Sequence, residues 1–155
     1  MIYLTVGTYP PGFDRLVEAV DNLCAQYNIK GYAQISGGSY KPKHMLYQKF
    51  YSSEEQSTFI ENSDFIISHG GFGVIGDILR QGSPLLVFPR PPEEGPNDQR
   101  PVAKKLAELF GFTLCQDIDD LKNKFAVMTN SQLTKKSYNL ESDIPSIITD
   151  YLKSI

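Results

Sequence analysis

Apolar positions change period several times along the chain, and each change marks an element. Residues 2–6 (IYLTV) form a short β-branched run that stops at Gly7-Thr8 and meets Pro10-Pro11-Gly12, which predicts a strand and then a loop. Phe13, Leu16, Val17, Val20, Leu23, Cys24 and Tyr27 then recur every three or four residues, with Asp14, Arg15, Glu18, Asp21 and Asn22 outside the stripe. That spacing predicts an amphipathic helix. Residues 31–36 and 45–51 are candidate strands joined by the turn-rich GGSYKPKH, and Ser52-Ser53-Glu54-Glu55 predicts a capped helix reaching Ile60.

Residues 64–68 (DFIIS) read as the next strand, followed by a glycine turn and a short helix to Arg80 that Gly82 terminates. Residues 84–88 (PLLVF) are an unbroken apolar run, the pattern of a strand covered on both faces. Beyond a proline-rich loop, Asn97-Asp98 can cap a helix carrying Val102, Ala103, Leu106 and Phe110 and stopped by Gly111. Residues 112–115 predict a final strand, and 118–128 and 144–152 predict helices. Strands alternating with helices imply an α/β fold, a parallel sheet with helices on both faces, within one domain spanning residues 1–155.

Composition changes this picture little. Hydrophobic residues at 41% and charged residues at 21% are ordinary for a globular chain, and a net charge of −3 without clustered Lys or Arg argues against a nucleic-acid partner. Cys24 and Cys115 have no metal-site or disulfide spacing and read as buried, reduced thiols. No apolar run approaches the ~20 residues that span a bilayer, and no charged leader precedes the first strand, so the expected location is cytoplasmic with any membrane contact peripheral.

The candidate chemistry lies in the turns, because ligands of such sheets sit outside the carboxyl ends of the strands. Three loops follow: Gly7-Thr8, His69 to Gly73, and Pro89 to Gln99. In SHGGFGVIGD, Gly70, Gly71 and Gly73 would let backbone approach a ligand at a helix N-terminus, a favourable place for phosphate, or would merely satisfy a tight turn. Asp77 on the open side of that helix suits ribose hydroxyls or is a solvated acid, and His69 either handles a proton or is a turn histidine held locally. Asn97, Asp98 and Gln99 suit sugar hydroxyls or simply cap a helix. Gly71 to Gly76 also spells G-x-G-x-x-G, and Arg90 would suit a phosphorylated dinucleotide, which leaves an NADP-dependent reductase as an alternative. Against it, this turn follows three earlier strands and little chain remains for a second nucleotide-binding half.

Together, VGTYPPGFDRL, SHGGFGVIGDILRQGSPLLVFPR and NDQRPVAKKLAELFG resemble the C-terminal, donor-binding domain of glycosyltransferase family 28. Size and opening motif are most similar to the small catalytic subunits of split transferases, those of bacterial capsule and exopolysaccharide synthesis and of dolichol-linked GlcNAc transfer. The resemblance implies the Rossmann-like C-terminal half of a GT-B fold that takes a UDP-sugar as donor, with no metal or other cofactor. It implies diphosphate or sugar contacts from Gly7, Thr8, Gly70, Gly71, Gly73 and Val74, ribose binding by Asp77, sugar recognition by Asn97, Asp98 and Gln99, a further donor contact from Arg90, and a candidate catalytic role for His69. Val74 stands where the family commonly has Ser or Thr, and Asp77 where it usually has Glu. It further implies a membrane-anchored partner subunit that binds a lipid-linked saccharide acceptor, so that the chain sits at the inner membrane face through that partner. The apolar stripe of Ile144, Ile147, Ile148, Tyr151, Leu152 and Ile155 either docks the partner or packs on its own sheet. A nucleotide-sugar-binding accessory subunit without its own catalysis is the other alternative.

Overall fold

A computed structural model describes residues 1–136. Their order is β1 (Ile2–Thr5), α1 (Asp14–Tyr27), β2 (Gly31–Gln34), β3 (Leu46–Gln48), α2 (Ser53–Asn62), β4 (Phe65–His69), α3 (Phe72–Gln81), β5 (Leu85–Phe88), a 3-10 turn (Pro92–Glu94), α4 (Arg100–Phe110), β6 (Thr113–Leu114) and α5 (Ile118–Thr129). The helix predicted over residues 144–152 lies outside the described residues.

All neighbouring strands are parallel, in the order β3-β2-β1-β4-β5-β6. This is the doubly wound, Rossmann-like order, and it reverses direction between β1 and β4. The chain after the glycine turn is short, yet it supplies β5 and β6, so the expected lack of a second half is corrected. The nicotinamide fingerprint still fails on position: its turn follows β4, whereas the turn after β1 carries Gly7 and Gly12 around two prolines.

Side chains alternate across the sheet with a period of two and build two cores. Ile2, Leu4, Phe65, Ile67, Leu86 and Phe88 face α1 and α5, packing with Leu16, Val20 and Phe125. Tyr3, Ile66, Leu85 and Val87 face α2, α3 and α4, packing with Ile60, Ile78 and Leu106. Every residue of β1, β4 and β5 is buried, which is why these runs read as continuously apolar.

Several boundaries differ from the periodicity. β2 ends at Gln34 because Ser36 adopts φ 52°, although Ile35 and Ser36 still donate to the carbonyls of Gln48 and Lys49. β3 keeps only three exposed residues, as expected of an edge strand. β4 runs one residue further than DFIIS, so His69 ends a strand rather than beginning a turn.

Candidate functional site

A cleft of about 740 Å³ opens where the strand order reverses. It is lined by Gly7 and Thr8 after β1, by His69 to Val74 and Asp77 after β4, and by Asn97, Asp98 and Gln99 before α4. The structure thus brings together every sequence-predicted site residue except Arg90.

The wall is built around His69, which is 7% exposed. Its Nδ1 accepts the Gly71 N–H at 3.2 Å and the Gln99 amide Nε2–H at 3.1 Å. Gln99 has its orientation set by the other end of its amide, where Oε1 accepts the N–H of Gly70 at 2.9 Å and of Arg90 at 3.0 Å. One glutamine therefore ties the β4 turn to the β5 turn. Because Nδ1 accepts, the ring proton resides on Nε2, which is buried and has no hydrogen-bond partner. Burial, first, and then the nearby Arg90 charge pull the His69 pKa down to about 4. A neutral ring whose Nδ1 lone pair is occupied and whose Nε2 carries the proton has no free lone pair for general-base work.

The glycines make room for this ring and for the Gln99 side chain bonded to it. A Cβ on Gly7, where φ is +74°, would lie 2.5 Å from His69 Nε2, and one on Gly71 would lie 2.2 Å from Cε1. A Cβ on Gly70 would meet the Gln99 and Pro89 side chains at 2.9 Å. Of the glycines in this turn, Gly73 alone faces open space, with nothing within 4 Å of the place a methyl group would take. Gly76 is buried in the middle of α3 and takes no part in the turn.

No side chain caps α3, whose first residues are Phe72, Gly73 and Val74. Such a start offers free N–H groups and the positive end of the helix dipole to the cleft. One turn on, Asp77 is exposed and pairs with Arg80 at 3.0 Å. At the next helix start, Asp98 grips the Arg100 guanidinium with both oxygens, at 2.8 and 2.9 Å, and also accepts the Arg100 N–H. The Arg100 bonds hold the Asp98 carboxyl below its ordinary pKa. Asp98 thus ties down the first residue of α4 from one position ahead of the N-cap, which is Gln99 and makes no side-chain capping bond, while Asn97 remains exposed at the rim.

Arg90 corrects its expected role as a donor contact. Its side chain is 1% exposed and turns away from the cleft, donating from Nη2 to the carbonyls of Val6 at 3.0 Å and Gly12 at 3.3 Å. The guanidinium also lies over the rings of Tyr9 and Phe13, each at 5.1 Å, so it braces the β1–α1 loop from beneath. Gln34 was missed by sequence reasoning: it lines the cleft, donates to the Gly7 carbonyl at 3.0 Å and accepts the Tyr51 N–H at 2.9 Å. Its signal was its place at the carboxyl end of a strand, which the hydrophobic pattern does not weigh.

Residues 1–150 match the glycosyltransferase family 28 C-terminal domain. The chain belongs to that family. Family and fold together make it a glycosyltransferase donor-binding domain, the C-terminal half of a GT-B arrangement. Among solved structures, it is similar to the glycotransferase of kitacinnamycin, with 21% identity and a TM-score of 0.65 over 84% of this chain and 35% of that one. It is also similar to the Methanocaldococcus jannaschii UDP-GlcNAc 2-epimerase in complex with UDP-GlcNAc and UDP, at 16% identity and TM-score 0.63 over 99% of this chain and 45% of that one. ALG13, solved in solution, matches at 21% identity and TM-score 0.58, covering 99% of this chain and 96% of its own. The chain thus spans less than half of the first two proteins and nearly all of the third. No curated protein sequence matches it. Among the described residues, no helix is long and apolar enough to cross a membrane.

Proposed function

We propose that the chain is the donor-binding, catalytic subunit of a two-subunit inverting glycosyltransferase, moving a sugar from a UDP-sugar to a lipid-linked saccharide in polysaccharide synthesis such as that of a capsule or exopolysaccharide. The observation that carries this is the uncapped start of α3, aimed into the switch-point cleft of a family 28 domain. Its first-turn amides hold the donor diphosphate and stabilise the charge that develops on the departing UDP, so no metal or other cofactor is required. Asp77, released from Arg80, takes the ribose hydroxyls, and Asn97 with the remaining Gln99 N–H takes the sugar. Thr8 faces the donor from the β1 side.

The base that activates the acceptor lies elsewhere. His69 is neutral with its Nδ1 occupied, and the cleft acids Asp77 and Asp98 both face arginines. A membrane-anchored partner subunit supplies that base and the acceptor site, and holds this chain at the inner membrane face. The same observation favours one second reading, an accessory subunit that presents the donor while the partner catalyses.

Calorimetry of the chain with UDP, UDP-sugars and NADPH tests the donor site: UDP binds, NADPH does not, and the reverse result overturns the proposal. With the partner present, Asp77→Ala and Gln99→Ala each lower sugar transfer by about tenfold or more, worth about 1.4 kcal/mol. Full activity in both variants would show the site to be misassigned, and transfer by the partner alone would establish the accessory reading.

A further inference from the structure

The segment between β5 and α4 is closed at its base and tethered near its middle. At the base, the Arg90 carbonyl accepts the Gln99 N–H at 3.1 Å, and the Arg90 N–H donates to Gln99 Oε1 at 3.0 Å. Within that closure the Glu94 N–H donates to the Pro91 carbonyl, and Pro96 and Asn97 follow along the cleft. The tether comes from Arg15, the second residue of α1. Its Nη2 donates to Glu94 Oε1 at 2.5 Å and its Nε to Oε2 at 3.2 Å. The same guanidinium lies 5.1 Å over the ring of Phe88, a buried residue at the end of β5. Among the described residues, no other hydrogen bond ties residues 91–97 to the rest of the molecule.

We propose that Arg15 and Glu94 are positioning residues for donor-sugar recognition, holding Pro96 and Asn97 in the place from which Asn97 meets the sugar. This deepens the donor reading and rests on it. A partly exposed ion pair adds little stability, so what this one contributes is geometry. Two parallel bonds from a planar fork fix direction as well as distance, and stacking on Phe88 holds the fork in one plane. Gly95 carries the tether toward the cleft: a Cβ there would collide with Arg90 Cδ, so the chain runs tight against a buried side chain between Glu94 and Pro96. The diphosphate cradle is built separately. It uses the start of α3 and the bonds from Gly70 and Arg90 to Gln99, none of which involves Glu94.

The test is calorimetry of the full chain with UDP and with UDP-glucose, UDP-galactose and UDP-N-acetylglucosamine, followed by the sugar nucleotide that the wild type binds most tightly. Arg15→Ala and Glu94→Ala each weaken binding of that sugar nucleotide by roughly tenfold and leave UDP binding unchanged, because the displaced segment faces the sugar alone. The double variant loses no more than either single variant, since the two residues act as one pair. Wild-type sugar-nucleotide binding in both single variants overturns the inference, as do additive losses in the double variant. A parallel loss of UDP binding also overturns it, because the pair would then support the whole cleft. Binding of UDP but of none of the three sugar nucleotides by the wild type overturns this inference and leaves the diphosphate site standing, whereas no UDP binding at all overturns the donor reading itself.

Discussion

A Cβ at Gly71 would sit 2.2 Å from His69 Cε1, whereas one at Gly73 meets nothing within 4 Å. Gly71→Ala must therefore displace the imidazole and is expected to cost about 1–3 kcal/mol, seen as a lowered urea midpoint. Gly73→Ala replaces a helical glycine and should raise stability by up to about 1 kcal/mol while weakening UDP binding, since its methyl enters the cleft. His69 adds a pH signature. Its pKa falls from 6.5 to about 4 on folding, so the unfolded chain takes up a proton that the native ring refuses. That contribution is fully present above about 6.5 and is lost as pH falls toward about 4, on the order of 3 kcal/mol in total. Thermal melts across this window should show wild type losing stability faster than His69→Asn, which keeps an acceptor near Nδ1 but cannot titrate. The glycines were legible as a working turn, but not their reason, because a ring that sits against Gly7 from 62 positions away leaves no local mark.

Elements are held as much by single polar anchors as by their stripes. Periodicity placed Asp21 outside the apolar stripe of α1, yet it is fully buried and fixes the segment ahead of β3 with four hydrogen bonds. Burial pushes its pKa up, but the bonds from Lys43, Tyr40, His44 and Met45 outweigh that and hold it below the ordinary value. Asp21→Asn keeps the size but removes the charge and one acceptor oxygen. It should cost about 1–3 kcal/mol in chemical denaturation, because buried donors lose their partner. At α2 the local signal was sufficient: Ser52 and Glu55 form the reciprocal capping box that their spacing predicts. At α4 it was not, since the helix begins at Arg100 and Gln99 turns back to the β4 and β5 turns instead of facing only the cleft.

For the whole molecule, element types and the carboxyl-edge location of the site follow from local order. Continuous apolar runs must be covered on both faces, alternation with amphipathic helices imposes parallel strands, and parallel strands send their ligand loops to one edge. Strand order, the cleft shared by three loops, the retreat of Arg90 beneath the β1 loop and the exposure of Leu46 and Phe50 depend on which distant segments pair. An arginine after β5 has the same sequence surroundings whether it meets a phosphate or two backbone carbonyls 84 and 78 residues away. Periodicity is a nearest-neighbour property and survives in the chain as written, whereas these contacts exist only once the sheet has closed around them.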